Sequence, residues 1–289
     1  MNREYLRTLA AVLDEGGFSA AADRLHLTPS AVSQRIKALE ADTGQILIVR
    51  GRPCTPTAAG EVLARMARQF EEIEAEADAA LEAEMARPLD IVVNADSLAT
   101  WFRAVLSEAA KWGDAQLRIQ VEDEEYTRSV LQRGEVMAAV TTSRQAASGC
   151  RSRRLGVMRY LPVAAPALLA GRTPPPDLTR LPVIEFNAKD EMQTRFLGSA
   201  GVQGLKQTES VHCHRLPSSE AFLAAVLAGM GWGLVPEAQA LSHLDDGTLV
   251  RLNPRWRDVE LYWQCWSVHT ARLDRLTRAV LDAAGSQLR

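Results

Sequence analysis

The sequence predicts an α/β protein in three consecutive segments: a small helical segment closed by a hairpin, one long helix, and a large α/β segment. Three observations predict it. Residues 1–56 end in the turn-rich stretch Arg50-Gly51-Arg52-Pro53-Cys54-Thr55-Pro56. Residues 57 to about 85 lack proline, lack glycine beyond Gly60 and are dense in Ala and Glu. From Leu89 onward short apolar runs alternate with helical patterns, as in a parallel sheet covered by helices. Composition agrees: 289 residues at 47% hydrophobic and 24% charged exclude disordered and collagen-like classes. The formal net charge of −3 excludes a generally polycationic nucleic-acid coat but leaves room for one basic face.

In the first segment, Phe18-Ser19-Ala20-Ala21-Ala22-Asp23-Arg24-Leu25 reads as a short helix with Ser19 placed to cap it. His26-Leu27 makes the turn. Thr28 then offers an N-cap hydroxyl, and Pro29 takes the first helical position, where its missing N–H costs nothing. The helix runs from Pro29 to about Ala41, with Val32, Ile36 and Leu39 facing the core and Ser30, Ser33, Gln34, Arg35 and Lys37 opposite. Two helices around a tight turn, the second carrying side chains that can reach base edges and phosphates, make a helix-turn-helix. Ile46-Leu47-Ile48-Val49-Arg50 and Pro53-Cys54-Thr55-Pro56-Thr57 read as the two strands of a wing, its tip carrying Arg50 and Arg52. Arg24, Thr28, Ser30, Ser33, Gln34, Arg35, Lys37, Arg50 and Arg52 are therefore the candidate DNA contacts. A three-helix bundle with scattered surface charge has the same composition.

In the second segment, Ala59, Leu63, Met66, Phe70, Ile73, Ala77 and Ala80 alternate steps of four and three, the period of a coiled-coil seam. Such a helix is about 40 Å long at 1.5 Å per residue. Its other faces, with Arg65, Arg68, Glu71, Glu72, Glu74, Glu76 and Glu82, read as solvated. The narrow stripe favours pairing with a second chain through Leu63, Met66, Phe70, Ile73 and Ala77; packing on its own domain is the alternative.

In the third segment, Leu89-Asp90-Ile91-Val92-Val93-Asn94 reads as a strand, and Asp96-Ser97 open a helix through Trp101 and Phe102. Ligands of open α/β sheets collect at strand C-termini, where Ser97, Thr100 and helix N–H groups can donate to a carboxylate. Leu117-Arg118-Ile119-Gln120-Val121 is the second strand, followed by the acids Glu122-Asp123-Glu124-Glu125. If strand alternation continues, Glu122 and Glu124 share one face and suit a cation, with Asp123 opposite. The alternative is a solvated acidic loop capping the next helix. Ser218 and Ser219 are read in a loop before a helix from Glu220 to Ala228, and the last helix runs from Leu273 to Gln287.

The first segment carries a specific resemblance. Ala20-Ala21-Ala22-Asp23-Arg24-Leu25, Thr28-Pro29-Ser30-Ala31-Val32-Ser33-Gln34-Arg35-Ile36-Lys37-Ala38-Leu39-Glu40, Gly44-Gln45 and Pro56-Thr57-Ala58-Ala59-Gly60 resemble, in order and spacing, the N-terminal signature of LysR-type transcriptional regulators. That resemblance implies a winged helix-turn-helix over 1–56, a linker and dimerisation helix over 57–86, and a two-lobed, periplasmic-binding-protein-like effector domain over 87–289. Its first lobe is expected over about 87–161 and 266–289, its second over about 162–265. The implied partners are double-stranded operator DNA, a second copy through the linker helix, and the family's usual homotetramer. Asn94-Ala95-Asp96-Ser97-Leu98-Ala99-Thr100-Trp101, Val121-Glu122-Asp123-Glu124 and Ser218-Ser219-Glu220-Ala221-Phe222 further resemble the lysine- and arginine-responsive LysG/ArgP branch. This similarity implies an effector that is a basic amino acid, lysine or arginine, with histidine as the third candidate. It also implies control of a basic-amino-acid exporter or a related metabolic gene.

Other classes are read out. His212-Cys213-His214 has no further ligands nearby in sequence to complete a metal shell, so no metal and no cofactor beyond the small-molecule effector is expected. Gly229-Met230-Gly231-Trp232-Gly233 lacks the Lys and spacing of a phosphate loop, and no nucleophile elbow is present, so no enzyme is expected. The charged N-terminus, the scattered Cys54, Cys150, Cys213 and Cys265, and the short apolar runs read as a cytoplasmic protein with reduced thiols and no membrane span. A cytoplasmic solute-binding protein, or a regulator answering an unrelated small anion, is the alternative.

Overall fold

The computed structural model describes residues 1–81, 88–113, 116–122, 124–171, 176–199 and 212–289. In chain order the elements are α1 (Arg3–Asp14), α2 (Phe18–Leu25), α3 (Pro29–Thr43), β1 (Ile48–Val49), β2 (Thr55–Pro56), α4 (Ala58–Leu81), β3 (Leu89–Val92), α5 (Ala95–Ala99) and α6 (Arg103–Ala109). There follow β4 (Leu117–Gln120), α7 (Glu124–Arg133), β5 (Ala138–Thr141), β6 (Cys150–Ala164), β7 (Val183–Glu185), α8 (Met192–Ser199), β8 (Cys213–Arg215) and α9 (Ser219–Leu227). The chain ends with β9 (Gly233–Pro236), α10 (Glu237–Asp245), β10 (Val250–Arg251), β11 (Arg257–Trp266) and α11 (Ala271–Gln287).

These elements gather into two compact units. One comprises Met1–Val93, Glu108–Arg153 and Trp263–Ala279; the other comprises Asn94–Ser107, Arg154–Tyr262 and Val280–Arg289. The long strands β6 and β11 each begin in one unit and end in the other.

In the first unit, α1, α2 and α3 close around Leu9, Val12, Ala21, Val32, Ile36 and Leu39, and the hairpin β1–β2 adds Leu47 and Ile48 to the same core. Ala59, Leu63 and Met66 of α4 pack on that core from the side. The first half of the expected interchain seam therefore has an intrachain partner. Beyond it, Phe70 and Ile73 stay 43% and 44% exposed, as does Ala77. Ala80 lies in α4, but its side chain is outside the described residues, as is Glu82.

The supposedly solvated faces of α4 are also partly buried. Glu72 and Arg272 of α11 form an ion pair at 2% and 7% side-chain exposure. Removing one member of such a pair leaves a desolvated charge, which typically costs about 3–5 kcal/mol. Arg65 is buried as well. Charge pattern alone predicts solvation because partners some 200 residues away are invisible to it.

The sheet of the first unit has β3 between β4 and β5, all parallel, with Ile91 opposite Ile119 on one side and Ala138 on the other. In the second unit β6 is antiparallel to β9 and β10, while β7 and β8 are parallel. The parallel sheet expected throughout is thus confined to short stretches. Helices lie between β6 and both β9 and β10, yet β6 runs opposite to each, a difference that alternation of apolar runs with helical patterns does not reveal. The core of the second unit, Leu161, Val163, Ile184, Phe222, Val226 and Val235, lies under α9 and α10. Most of the expected second lobe falls in this unit, which also takes Asn94–Ser107 and Val280–Arg289. No helix among the described residues is long and apolar enough to cross a membrane.

Candidate nucleic-acid interface and ligand-binding residues

The cap residues of α3 act as their sequence suggests. The Thr28 hydroxyl accepts from the Ala31 N–H at 3.2 Å, and Pro29 opens the helix. Ahead of it, α2 spans Phe18–Leu25 as expected, but Gly17 is its N-cap and Ser19 lies inside the helix. His26 closes α2 in the left-handed region at φ +54°, which makes the tight turn. This frame exposes Thr28, Ser30, Gln34 and Lys37 along one side of α3, with Ser33 half-buried beside them. At the wing, Arg50 and Arg52 are exposed, and the Arg50 guanidinium stands 5.4 Å from the Phe18 ring centre.

Two of the expected DNA-contacting arginines are engaged within the protein. Arg35 donates to Glu4 Oε2 at 3.2 Å and to Thr8 Oγ1 at 3.4 Å, tying α3 to α1. Arg24 donates to Asp14 at 3.1 Å and Glu15 at 3.2 Å. Both acceptors lie on or just beyond α1, a helix that the motif reading did not use.

Among the expected effector residues, Asp96, Ser97, Thr100, Trp101, Ser218 and Ser219 belong to the second unit. The helix expected to run through Trp101 and Phe102 breaks at Thr100: α5 stops at Ala99, and α6 begins at Arg103. The Thr100 hydroxyl donates back to the Asp96 carbonyl at 2.6 Å, so it is not the free donor expected of it. Trp101 is buried edge-on against Phe102 at 5.5 Å between ring centres, and its indole N–H is buried with no hydrogen-bond partner among the described residues. The Ser97 hydroxyl is fully buried and has no hydrogen-bond partner among the described residues. Ser218 caps α9 by accepting from the Ala221 N–H at 3.3 Å, and Ser219 is the first residue of the helix instead of a loop residue.

The structure brings Asp96 and Ser219 together with a residue that the sequence did not flag. Tyr160 of β6 donates its hydroxyl to Asp96 Oδ2 at 2.8 Å, and the Ser219 hydroxyl also hydrogen-bonds this carboxylate. Burial pushes the Asp96 carboxyl pKa up; the two hydrogen bonds oppose that, and the nearby charges of Asp190 and Glu220 add to it. The Tyr160 phenol is pushed well above its usual value by burial and by Asp96. Such a carboxylate, hydrogen-bonded by two hydroxyls and near two further acids, is suited to a cationic group. A tyrosine inside an apolar strand run carries no sequence signal for this role.

The acids after β4 belong to the first unit. The strand ends at Gln120, so strand alternation does not extend to them. Glu122 is exposed in the loop, Asp123 lies outside the described residues, and Glu124 is the first residue of α7. The chain therefore turns from strand to helix within this acid run.

Comparison with known proteins places these features in a family. Residues 4–61 match the bacterial regulatory helix-turn-helix protein, lysR family, and residues 82–289 match the LysR substrate binding domain. The chain is 46% identical over 292 residues to the lysine export transcriptional regulatory protein LysG of Corynebacterium efficiens, covering all of both chains. Among solved structures, full-length LysG of Corynebacterium glutamicum with bound effector arginine matches at a TM-score of 0.89 and 41% identity, again over both complete chains. ArgP of Mycobacterium tuberculosis matches at 0.89 and 42%, covering 99% of this chain and 98% of that one.

Proposed function

The chain belongs to the lysR family of bacterial regulatory helix-turn-helix proteins, and from that premise we propose that it is a cytoplasmic, lysine- or arginine-responsive regulator acting on operator DNA. The observation that carries this reading is the end-to-end match, with reader and substrate-binding region in one chain, to regulators of lysine export. The proposed target is a basic-amino-acid exporter or a related amino-acid metabolism gene. No catalytic step is assigned to it. The exposed side of α3, with Thr28, Ser30, Ser33, Gln34 and Lys37, enters the major groove, and Arg50 and Arg52 reach the backbone from the wing. The functional segments are the reader over 1–56, the linker over 57–86 and the two-lobed effector region over 87–289. Two copies pair through the exposed part of α4 around Phe70, Ile73 and Ala77, and pairs assemble into tetramers.

The effector combines an α-carboxylate, an α-ammonium and a distant cation. Asp96, supported by Tyr160 and Ser219, is assigned to a cationic group of the effector, and Ser97 to its carboxylate. A desolvated charge pair that loses one member typically forfeits about 2–5 kcal/mol. Calorimetric titration with L-lysine, L-arginine and L-norleucine tests the assignment, because norleucine keeps the α-groups but lacks the terminal cation. Lysine or arginine is expected to bind at least tenfold tighter than norleucine, and Asp96→Asn to weaken the binding of all three. Equal binding of lysine and norleucine would overturn the basic-amino-acid reading.

A further inference from the structure

Within the first unit, two arginines of the linker helix α4 grip the C-terminal end of α7. Arg65 Nη1 donates to the Gln132 carbonyl at 2.6 Å, and its Nη2 donates to Ser148 Oγ at 3.4 Å. One helical turn on, Arg68 donates through Nη1 to the Arg133 carbonyl and through Nη2 to Asp14 Oδ1. Asp14 ends α1 of the DNA reader, and its other oxygen accepts from Arg24 of α2 at 3.1 Å. The last carbonyls of a helix carry partial negative charge and lack intrahelical donors, so guanidinium groups suit them electrostatically and geometrically.

The seat for Arg65 is built into the backbone. Gly134 and Gly149 both hold left-handed conformations, at φ +73° and +77°. A Cβ on Gly134 would lie 2.9 Å from Arg65 Cγ, and one on Gly149 would lie 2.8 Å from Arg65 Nε. At both positions the backbone favours glycine and the room for a side chain is already filled by Arg65. Arg68 then completes a continuous line: α7 C-terminus, Arg68, Asp14, Arg24. A guanidinium can present separate N–H groups to a carbonyl and a carboxylate at once, which a single ammonium on a flexible stem does poorly.

We infer that Arg65 and Arg68 are positioning residues that latch α7 to the reader, so that a shift of α7 and a shift of the α1–α2 pair are one event. The latch does not rest on the effector reading above.

The test is hydrogen exchange on the full-length protein and on Arg68→Ala, Arg68→Lys and Arg65→Ala, with and without a mixed-sequence DNA duplex at low salt. Reader occupation is monitored by anisotropy of the same duplex. The Gly134 and Glu135 amides, which close α7 on the Leu131 and Val130 carbonyls, report the state of the latch. In the parent, the duplex is expected to change their exchange severalfold although they lie outside the reader. Arg68→Lys and Arg68→Ala are expected to bind the duplex within about threefold of the parent while that distant response disappears. Lys preserves the charge and most of the side chain, so loss in that variant is not a folding defect. No response in the parent, or an undiminished response in all three variants, overturns the latch.

Discussion

Asp96 carries the residue-scale prediction of pH dependence. Its carboxyl pKa is raised above the ordinary carboxylate value mainly by burial. The folded state therefore holds the proton more tightly than the unfolded chain. Its stabilising contribution is fully present below about pH 4, where both states are protonated, and is lost as pH rises through the raised folded value. Asp96→Asn keeps an acceptor for Tyr160 but removes the titration. Thermal melts from pH 4 to pH 8 are expected to show the Asn variant gaining stability relative to the parent as pH rises, with about 1.4 kcal/mol for each unit of pKa difference. A difference that stays flat across this range would mean that the carboxylate is solvated. Asp96 and Ser219 were legible in the sequence as candidates for a ligand, but Tyr160, 64 residues beyond Asp96, had to come from the structure. The reader shows the same limit: Thr28 and Pro29 announce their helix locally, whereas the partners of Arg35 lie on α1, 27 and 31 residues away.

At the scale of single elements, periodicity located α4 but could not say what its stripe packs against. A 3.5-residue repeat reads the same whether the partner is a second chain or the helix's own domain. The intrachain reading holds for the first turns: Leu63 and Met66 pack on the reader core, while Phe70, Ile73 and Ala77 remain exposed. The expected pairing surface therefore begins near Phe70, with exposed Val62 extending it toward the reader. Phe70→Glu places a charge in that surface without touching the reader core. It is expected to weaken self-association at least tenfold, about 1.4 kcal/mol, with the fold intact by circular dichroism. A parental mass in light scattering across a dilution series would put the pairing surface elsewhere. The break between α5 and α6 was less visible, because Asp96 to Phe102 contains neither Gly nor Pro and Thr100 ends the helix through its own backbone angles.

For the whole molecule, the proposed regulator is a linkage problem. If L-arginine changes operator affinity by some factor, operator DNA must change L-arginine affinity by the same factor, whatever route connects the sites. Coupling of this kind usually amounts to about 5–150-fold. The expected result is therefore an equal ratio from two experiments: duplex titrations with and without saturating L-arginine, and calorimetric L-arginine titrations with and without saturating duplex. The duplex is the DNA upstream of the protein's own gene, at one fixed salt concentration, because phosphate contacts make any single affinity salt-dependent. A ratio of one in both experiments would mean that ligand binding does not reach the reader as an equilibrium shift, and that any regulation acts after the protein is on DNA. Unequal ratios would mean that a further equilibrium, such as assembly beyond the dimer, differs between the two sets of conditions. Phe70→Glu separates these cases, because it alters assembly through the linker while leaving both ligand-facing regions unchanged.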